Sequence, residues 1–269
     1  MDGMRVWVIV AAGGRGERFN AGAGGLGVER DKLSENIGGR AVIRRSVEAF
    51  TKRGEVGGIV VVGPRAGFDA FSMKHGDALG MLGCRVVPGG ERERWESVKA
   101  GLAEVPGEAT HVAVHDGARP CVSEGLLDRV FAAAGRYAAV VPGVEVRDTL
   151  KRVEDDGEGA EADALDVILG EAGKVESGGR RVVETVDRSG LVAVQTPQVF
   201  EAGLLRRAYE QDGLSSTDDA GLVERLGEVV RVVEGEVENV KVTTPGDLEM
   251  ARRVLGVRSD SGRPAHKRF

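Results

Sequence analysis

The residues best suited to chemistry in this chain are glycines, cations and an aspartate, and they recur in short loops. The first loop is Ala11-Ala-Gly-Gly-Arg-Gly-Glu-Arg-Phe19, directly after the apolar run Arg5-Val-Trp-Val-Ile-Val10. Backbone with little or no side chain can press its N–H groups against phosphate oxygens. Ala11, Ala12, Gly13, Gly14 and Gly16 therefore suit a phosphate cradle, and Arg15 and Arg18 add fixed positive charge beside it. Lys32 follows a second glycine-rich stretch at 21–27. Taken alone, the first loop reads equally well as a flexible surface turn carrying two arginines. Two established phosphate motifs fail here. A Walker loop ends in Gly-Lys-Ser/Thr, where this chain has Gly16-Glu-Arg18. A dinucleotide fingerprint needs a third glycine where Phe19 stands and an acidic residue ending a second strand roughly 20 residues later. That region reads as loop and then helix.

Two further stretches have the same character. Gly89-Gly-Glu-Arg-Glu-Arg94 is followed by Ser97, and His115-Asp-Gly-Ala-Arg-Pro120 carries Asp116 and Arg119. Asp116 suits a hard cation such as Mg²⁺, although alone it also fits a helix cap or a turn. Arg94 and Arg119 taken singly read as solvated ion pairs.

The elements around these loops place them. Apolar runs at 5–10, 59–63, 84–87, 111–114 and 138–142 read as buried strands, and stretches at 41–52, 66–82 and 93–104 as helices. Ser123 caps a further helix. This alternation predicts an α/β fold with a doubly wound, mainly parallel, Rossmann-like sheet. In such sheets ligands sit beyond the carboxyl ends of the strands, which is where all three loops fall. Residues 1–146 and 189–256 form the expected domain. Residues 147–188 read as a protruding β-arm, with an acidic, glycine-rich insertion at 154–181 holding a short helix near 162–169. Beyond the arm, helices are expected at 200–211 and 216–226, the latter capped by Ser216 or Thr217, and strand-like segments at 229–233 and 237–243. Thr244 with Pro245 opens the last helix, and 257–269 reads as a disordered tail.

Bulk properties narrow the function. A chain of 269 residues suits one large α/β domain with an appendage, and a formal net charge of −6 argues against a general nucleic-acid binder. The 41 glycines are roughly twice ordinary usage, fitting backbone that approaches ligands closely. Two cysteines are too few for a disulfide scaffold, and no Cys/His spacing reads as a zinc site. No stretch approaches the roughly 18 apolar residues of a membrane span, and no secretory leader is visible. A cytoplasmic protein is expected.

Further motifs complete the set: Val146-Arg-Asp-Thr149, Thr185-Val-Asp-Arg188, Thr196-Pro-Gln198, Ser216-Thr-Asp218 and Asn239-Val-Lys-Val-Thr243. With the three loops, in this order, the chain resembles the 2-C-methyl-D-erythritol 4-phosphate cytidylyltransferase family of the non-mevalonate isoprenoid pathway. The resemblance implies transfer of CMP from CTP to a polyol phosphate. It gives Arg18, Lys32 and Lys241 the catalytic charge, and has the loop from Ala11 to Arg18 hold the triphosphate. It places Gly89, Gly90, Arg94 and Ser97 around the cytidine and Mg²⁺ on Asp116. Arg119, Thr149, Thr196, Thr217 and Lys241 would contact or orient the acceptor. It also implies a homodimer through the arm, with Arg188 serving the partner subunit's site. The chain departs from the family pattern at Asp31, where a proline usually precedes the lysine, and in its long 154–181 insertion. His115 reads as structural, because a phosphate nucleophile has no proton to remove. The rival expectations are a cytidylyltransferase for ribitol 5-phosphate and a non-catalytic nucleotide-binding regulator.

Overall fold

The computed structural model describes residues 3–14, 16–21, 30–155 and 180–257. Arg15, the glycines at 22–27, most of the 154–181 insertion with its expected helix, and the tail from 258 lie outside the described residues. The chain divides into two compact units, Met1–Val144 with Val194–Phe269, and Glu145–Ala193.

The first unit is built on strand β1 (Val6–Ala11). After a short helix α1 (Glu17–Ala21) come a small β2–β3 pair (Asn36–Ile37, Arg40–Ala41) and helix α2 (Val42–Thr51). Then follow β4 (Val56–Gly63), α3 (Phe68–Gly80), β5 (Cys84–Pro88), α4 (Arg94–Ala103), β6 (His111–Asp116), α5 (Glu124–Ala134) and β7 (Ala139–Glu145). Strand β1 pairs in parallel with β4 on one side and β6 on the other, and β5 extends the sheet beyond β4.

The alternation of β1 makes the fold two-sided. Val6, Val8 and Val10 join the core under α2 and α5, with Phe50 and Phe131, while Ile9 joins the opposite core with Val98, Leu102 and Phe200. A strand covered on both faces must be apolar throughout, as this one is. Each fully buried Val or Ile here contributes about 1.5–3 kcal/mol.

Three expectations are corrected. The helix expected from residue 200 starts later, because Phe200 and Glu201 belong to strand β11 (Gln198–Glu201), antiparallel between β6 and β7. The helix begins only at Ala202 and runs to Tyr209. Its apolar face continues the helical period back over Val199 and Phe200, whereas the strand owes its form to non-local pairing. The helix at 219–224 is capped by Asp218, whose carboxylate accepts from the Gly221 N–H at 3.0 Å, rather than by Ser216 or Thr217. Residues 237–243 are not a strand; they run as loop, tied to the β6 side by Val242 N–H donating to the Ala118 carbonyl at 2.8 Å. The strand before them, β12 (Arg231–Glu234), pairs in parallel with β7, and the final helix, Pro245–Val254, has its expected Thr244 cap.

The second unit contains β8 (Leu150–Asp155) and β9 (Arg180–Val186), an antiparallel pair with Lys151 opposite Thr185. Arg152 and Glu184 bridge it at 2.6 Å. Segment β10 (Val192–Val194) leads out. The pair covers little of itself: Val182 and Val183 are 54% and 47% exposed.

Candidate active site

A cleft of about 700 Å³ opens beyond the carboxyl ends of β1, β5 and β6. Of the residues singled out in the sequence, Ala11, Ala12, Gly13, Gly14, Gly16, Arg18, Lys32, Gly90, Arg94, Ser97, Asp116 and Lys241 line it. Gly89, Arg119 and Thr196 stand behind its surface in supporting roles. Thr217 is exposed just ahead of the Asp218 cap. Thr149 and Arg188 belong to the second unit and are exposed there.

The turn after β5 shows why glycine is needed. Gly89 N–H donates to the Gly63 carbonyl at 2.9 Å, and Gly90 N–H donates to Ser97 Oγ at 3.2 Å. A Cβ on Gly89 would lie 2.8 Å from that same carbonyl, and one on Gly90 would lie 2.0 Å from Glu96 Cβ. Beyond them, the Glu96 carboxylate accepts from the N–H groups of Glu91 and Arg92 at 2.8 and 2.9 Å, folding the loop onto the start of α4. Glu96 was not singled out beforehand; the signal was a glutamate in the first turn of a helix.

Asp116 ends β6 and is only 7% exposed. Its Oδ2 lies 3.0 Å from Lys241 Nζ and 3.2 Å from Arg119 Nε, and its Oδ1 lies 3.7 Å from Arg94 Nε. Burial pushes its carboxyl up, but Lys241, Arg94 and Arg119 outweigh this and hold it well below the usual carboxylate range. Lys241 is presented by a firmly held loop. Arg119 Nη1 donates to the Asn239 carbonyl at 2.7 Å, and buried Asn239 Nδ2 donates to the Thr196 carbonyl at 2.9 Å.

Lys32 is partly buried, and its ammonium is lowered from its ordinary value by that burial and by nearby Lys241 and Arg18. Its backbone is fastened by the residue before it, Asp31. Asp31 pairs with Lys74 at 3.2 Å, its Oδ1 accepts from the Leu33 N–H at 3.0 Å, and it accepts from the Ser34 hydroxyl. Ser34 Oγ in turn lies 3.0 Å from His75 Nε2.

His115 is fully buried, and its two ring nitrogens are occupied. The Asp116 N–H donates to Thr196 Oγ1 at 3.0 Å. The Thr196 hydroxyl is then free to donate to His115 Nδ1 at 3.1 Å, and His115 Nε2–H to donate to the Arg119 carbonyl at 3.3 Å. This chain requires the neutral Nε2–H tautomer. Thr196 thus spends its hydroxyl on holding β6. Burial pushes the His115 imidazole down to about 4, against the pull of Asp116. The unfolded chain binds a proton below about pH 6.5 while the folded one does not, so stability falls as pH drops from there toward 4 and then levels off. The full loss is on the order of 3 kcal/mol, with half-buried His111, also lowered, adding to it. Thermal midpoints measured between pH 7.5 and 4 should show this decline and a shallower one in His115→Gln. An unchanged slope in that variant would mean that His115 is protonated in the fold.

Sequence reasoning missed Asp219, which is fully buried and pairs with Arg94. Nothing in Ser216-Thr-Asp-Asp219 distinguishes the capping aspartate from the one that turns inward. It also missed Phe19 and Thr243, which line the cleft.

Among the described residues no three His, Cys, Asp or Glu side chains group to hold a metal. A lone carboxylate among cations does suit Mg²⁺ that arrives with a polyphosphate, since this ion usually takes one or two carboxylates and completes its shell with phosphates and water. The cleft therefore offers glycine backbone, several cations and one carboxylate, and suits a polyphosphate whose reaction partner brings its own nucleophile.

The comparisons agree with this geometry. Residues 6–257 match the model of the family described as 2-C-methyl-D-erythritol 4-phosphate cytidylyltransferase. A relative of that name from Bacteroides fragilis is 38% identical over 92% of this chain and 98% of its own. Another, from Rhodococcus jostii, is 39% identical over 93% of this chain and 95% of its own. The crystal structure of the Thermus thermophilus enzyme of the same name superimposes with a TM-score of 0.66 at 31% identity, covering 93% of this chain and 98% of that one. That of 4-diphosphocytidyl-2C-methyl-D-erythritol synthase from Anaerococcus prevotii gives 0.70 at 27% identity, over 95% of this chain and 100% of that one. The cleft, the sheet that carries it and the extent of these matches make this chain a member of the 2-C-methyl-D-erythritol 4-phosphate cytidylyltransferase family.

Proposed function

We propose that the protein transfers CMP from CTP to 2-C-methyl-D-erythritol 4-phosphate and releases pyrophosphate. The observation that carries this is the grouping of Arg18, Lys32, Arg94 and Lys241 with Asp116 on one glycine-rich rim, in a chain of this family. A phosphate oxygen of the acceptor forms a bond to the α-phosphorus of CTP. The bond from that phosphorus to the oxygen bridging to the β-phosphorus breaks, and pyrophosphate leaves with the electron pair. No proton need move, so no general base is required. The obstacle is repulsion between two anions, and catalysis is positioning and charge neutralisation. Arg18, Lys32 and Lys241 supply fixed positive charge, and the loop from Ala11 to Gly16 supplies backbone donors. Mg²⁺ would be held by Asp116 with the nucleotide's phosphates and would add charge neutralisation there. Gly89, Gly90 and Ser97 shape a slot for the pyrimidine, and Thr217 borders the acceptor.

Pyrophosphate release from each nucleotide in turn, with methylerythritol phosphate or ribitol 5-phosphate as acceptor, tests the reading. CTP with methylerythritol phosphate should give the highest kcat/KM, and UTP a value lower by about 10² or more, since a site built to pair one base edge rejects another. Comparable rates with UTP, or preference for ribitol 5-phosphate, would overturn it.

The proposal extends to a homodimer joined by the arm. The exposed Val182 and Val183 support it, because an isolated two-stranded pair is marginal in water and gains by covering its apolar face. Thr149 and Arg188 then complete the partner subunit's acceptor site. Arg188→Ala and Lys32→Ala homodimers should each be nearly inactive. After subunit exchange, a mixed dimer holds both defects in one site and none in the other, so about half the activity per dimer should return. No recovery, with exchange shown by mass labelling, would place Arg188 in its own chain's site. Two buried free cysteines, Cys84 and Cys121, suit the reducing cytoplasm to which this reading assigns the enzyme.

A further inference from the structure

Asp219 does something that the catalytic reading does not use. It is 0% exposed, at the start of the helix Asp219–Glu224. Its Oδ2 accepts from Arg94 Nη1 at 2.8 Å, and its Oδ1 accepts from the Tyr209 hydroxyl at 2.5 Å. Tyr209 is itself buried, in the helix Ala202–Tyr209. On its other edge the same guanidinium places Nε 3.7 Å from Asp116 Oδ1. Arg94 therefore spans two carboxylates, one sealed in the core and one at the cleft.

A sealed ion pair is a poor way to gain stability, because apolar side chains of the same volume usually do as well. What the pair supplies is orientation. A guanidinium donates in a rigid planar fork, so fixing one edge fixes the direction of the other. Tyr209 fixes the carboxylate in turn, since Asp219 Oδ1 is occupied by its hydroxyl and only Oδ2 faces Arg94. The order is Tyr209, Asp219, Arg94 and then the cleft, with both supporting groups out of reach of any ligand.

We propose that Asp219, steadied by Tyr209, is a positioning residue that holds the Arg94 guanidinium toward the bound nucleotide. The proposal rests on the reading above that the cleft takes CTP.

The test titrates CTP and inorganic pyrophosphate into wild type, Asp219→Asn, Tyr209→Phe, Arg94→Ala and the Arg94→Ala/Asp219→Asn double variant. Trp95, next to Arg94 in α4, provides the fluorescence signal, and thermal midpoints are measured alongside. Asp219→Asn should weaken CTP binding about tenfold, the size expected for one charge-assisted contact, and Tyr209→Phe less. On the Arg94→Ala background Asp219→Asn should add nothing to the loss, because it acts only through Arg94. If Asp219→Asn lowers the midpoint but the folded protein binds CTP within twofold of wild type, the role is structural and the proposal falls. Should that variant fail to fold, Tyr209→Phe, which removes one hydroxyl, decides on the same criterion. A ligand-free measurement separates this from failure of the CTP reading. The Arg94 Nη groups, followed by nitrogen NMR, should rotate slowly in wild type and faster in Asp219→Asn or Tyr209→Phe. Equal rotation in all three overturns the positioning role whatever nucleotide the cleft takes, whereas slow wild-type rotation with no CTP binding overturns only the substrate assignment.

Discussion

Asp116→Ala should cost the protein both stability and rate. Three cations, Lys241, Arg119 and Arg94, lie within 3.7 Å of its carboxylate, and Arg119 is largely buried. Removing the anion leaves them facing one another, and breaking a buried pair from one side typically costs about 3–5 kcal/mol. The rate should fall by about 10³, since the same change scatters the cations that meet the phosphates and removes the proposed Mg²⁺ ligand. Asp116→Asn keeps the volume but also removes the anion, so it should lose stability as well, by less than the Ala variant, while the rate falls as far. Acid offers a second check. The Asp116 carboxyl is held below its ordinary range, so its contribution is present above about pH 4 and is lost as pH falls through the folded value. Asp116→Asn should remove that part of the acid transition. Full activity in the Asn variant would show that Asp116 binds no metal the reaction needs.

Lys32→Ala should show the opposite balance. Its ammonium is disfavoured by burial, Lys241 and Arg18, so the folded state pays to keep it charged. Losing it should leave the thermal midpoint unchanged or raise it, while kcat drops by about 10²–10³, or roughly 3–4 kcal/mol in the barrier. The lowered value also sets a pH dependence. The charge is lost at a lower pH than for a free lysine, so log kcat/KM, which reports the free enzyme, should turn down on the alkaline side before pH 10.5. Lys32→Arg should lose this downturn, because a guanidinium does not titrate there. A kcat within a few fold of wild type in Lys32→Ala would remove Lys32 from the catalytic set.

What the sequence made legible followed from local pattern. The apolar run ending at Val10, the glycines at 89–90 and Asp116 at a strand end were each visible, because strand, turn and loop chemistry are written in adjacent residues. Their convergence followed from the rule for parallel sheets. What stayed hidden depends on residues far apart. Strand β11 is four residues long and exists because β6 and β7 lie on either side of it. Asp219 meets Arg94 across 125 residues of chain. Thr196 reads as a substrate contact until its hydroxyl is seen committed to His115 and the Asp116 N–H.

The placement of β11 has a practical meaning for protein engineering. Ala139 pairs with Phe200 and Val140 with Val199, and the Gln195 N–H donates to the Pro142 carbonyl at 2.7 Å. The core thus brings together the two points between which residues 145–193 leave and return. A hairpin needs only a few residues to join antiparallel neighbours. A glycine-containing linker should therefore replace the whole excursion, leaving the pairings of β11 with β6 and β7 intact. Such a shortened chain would keep the nucleotide cleft as a free-standing module, onto which arms of other lengths could be grafted.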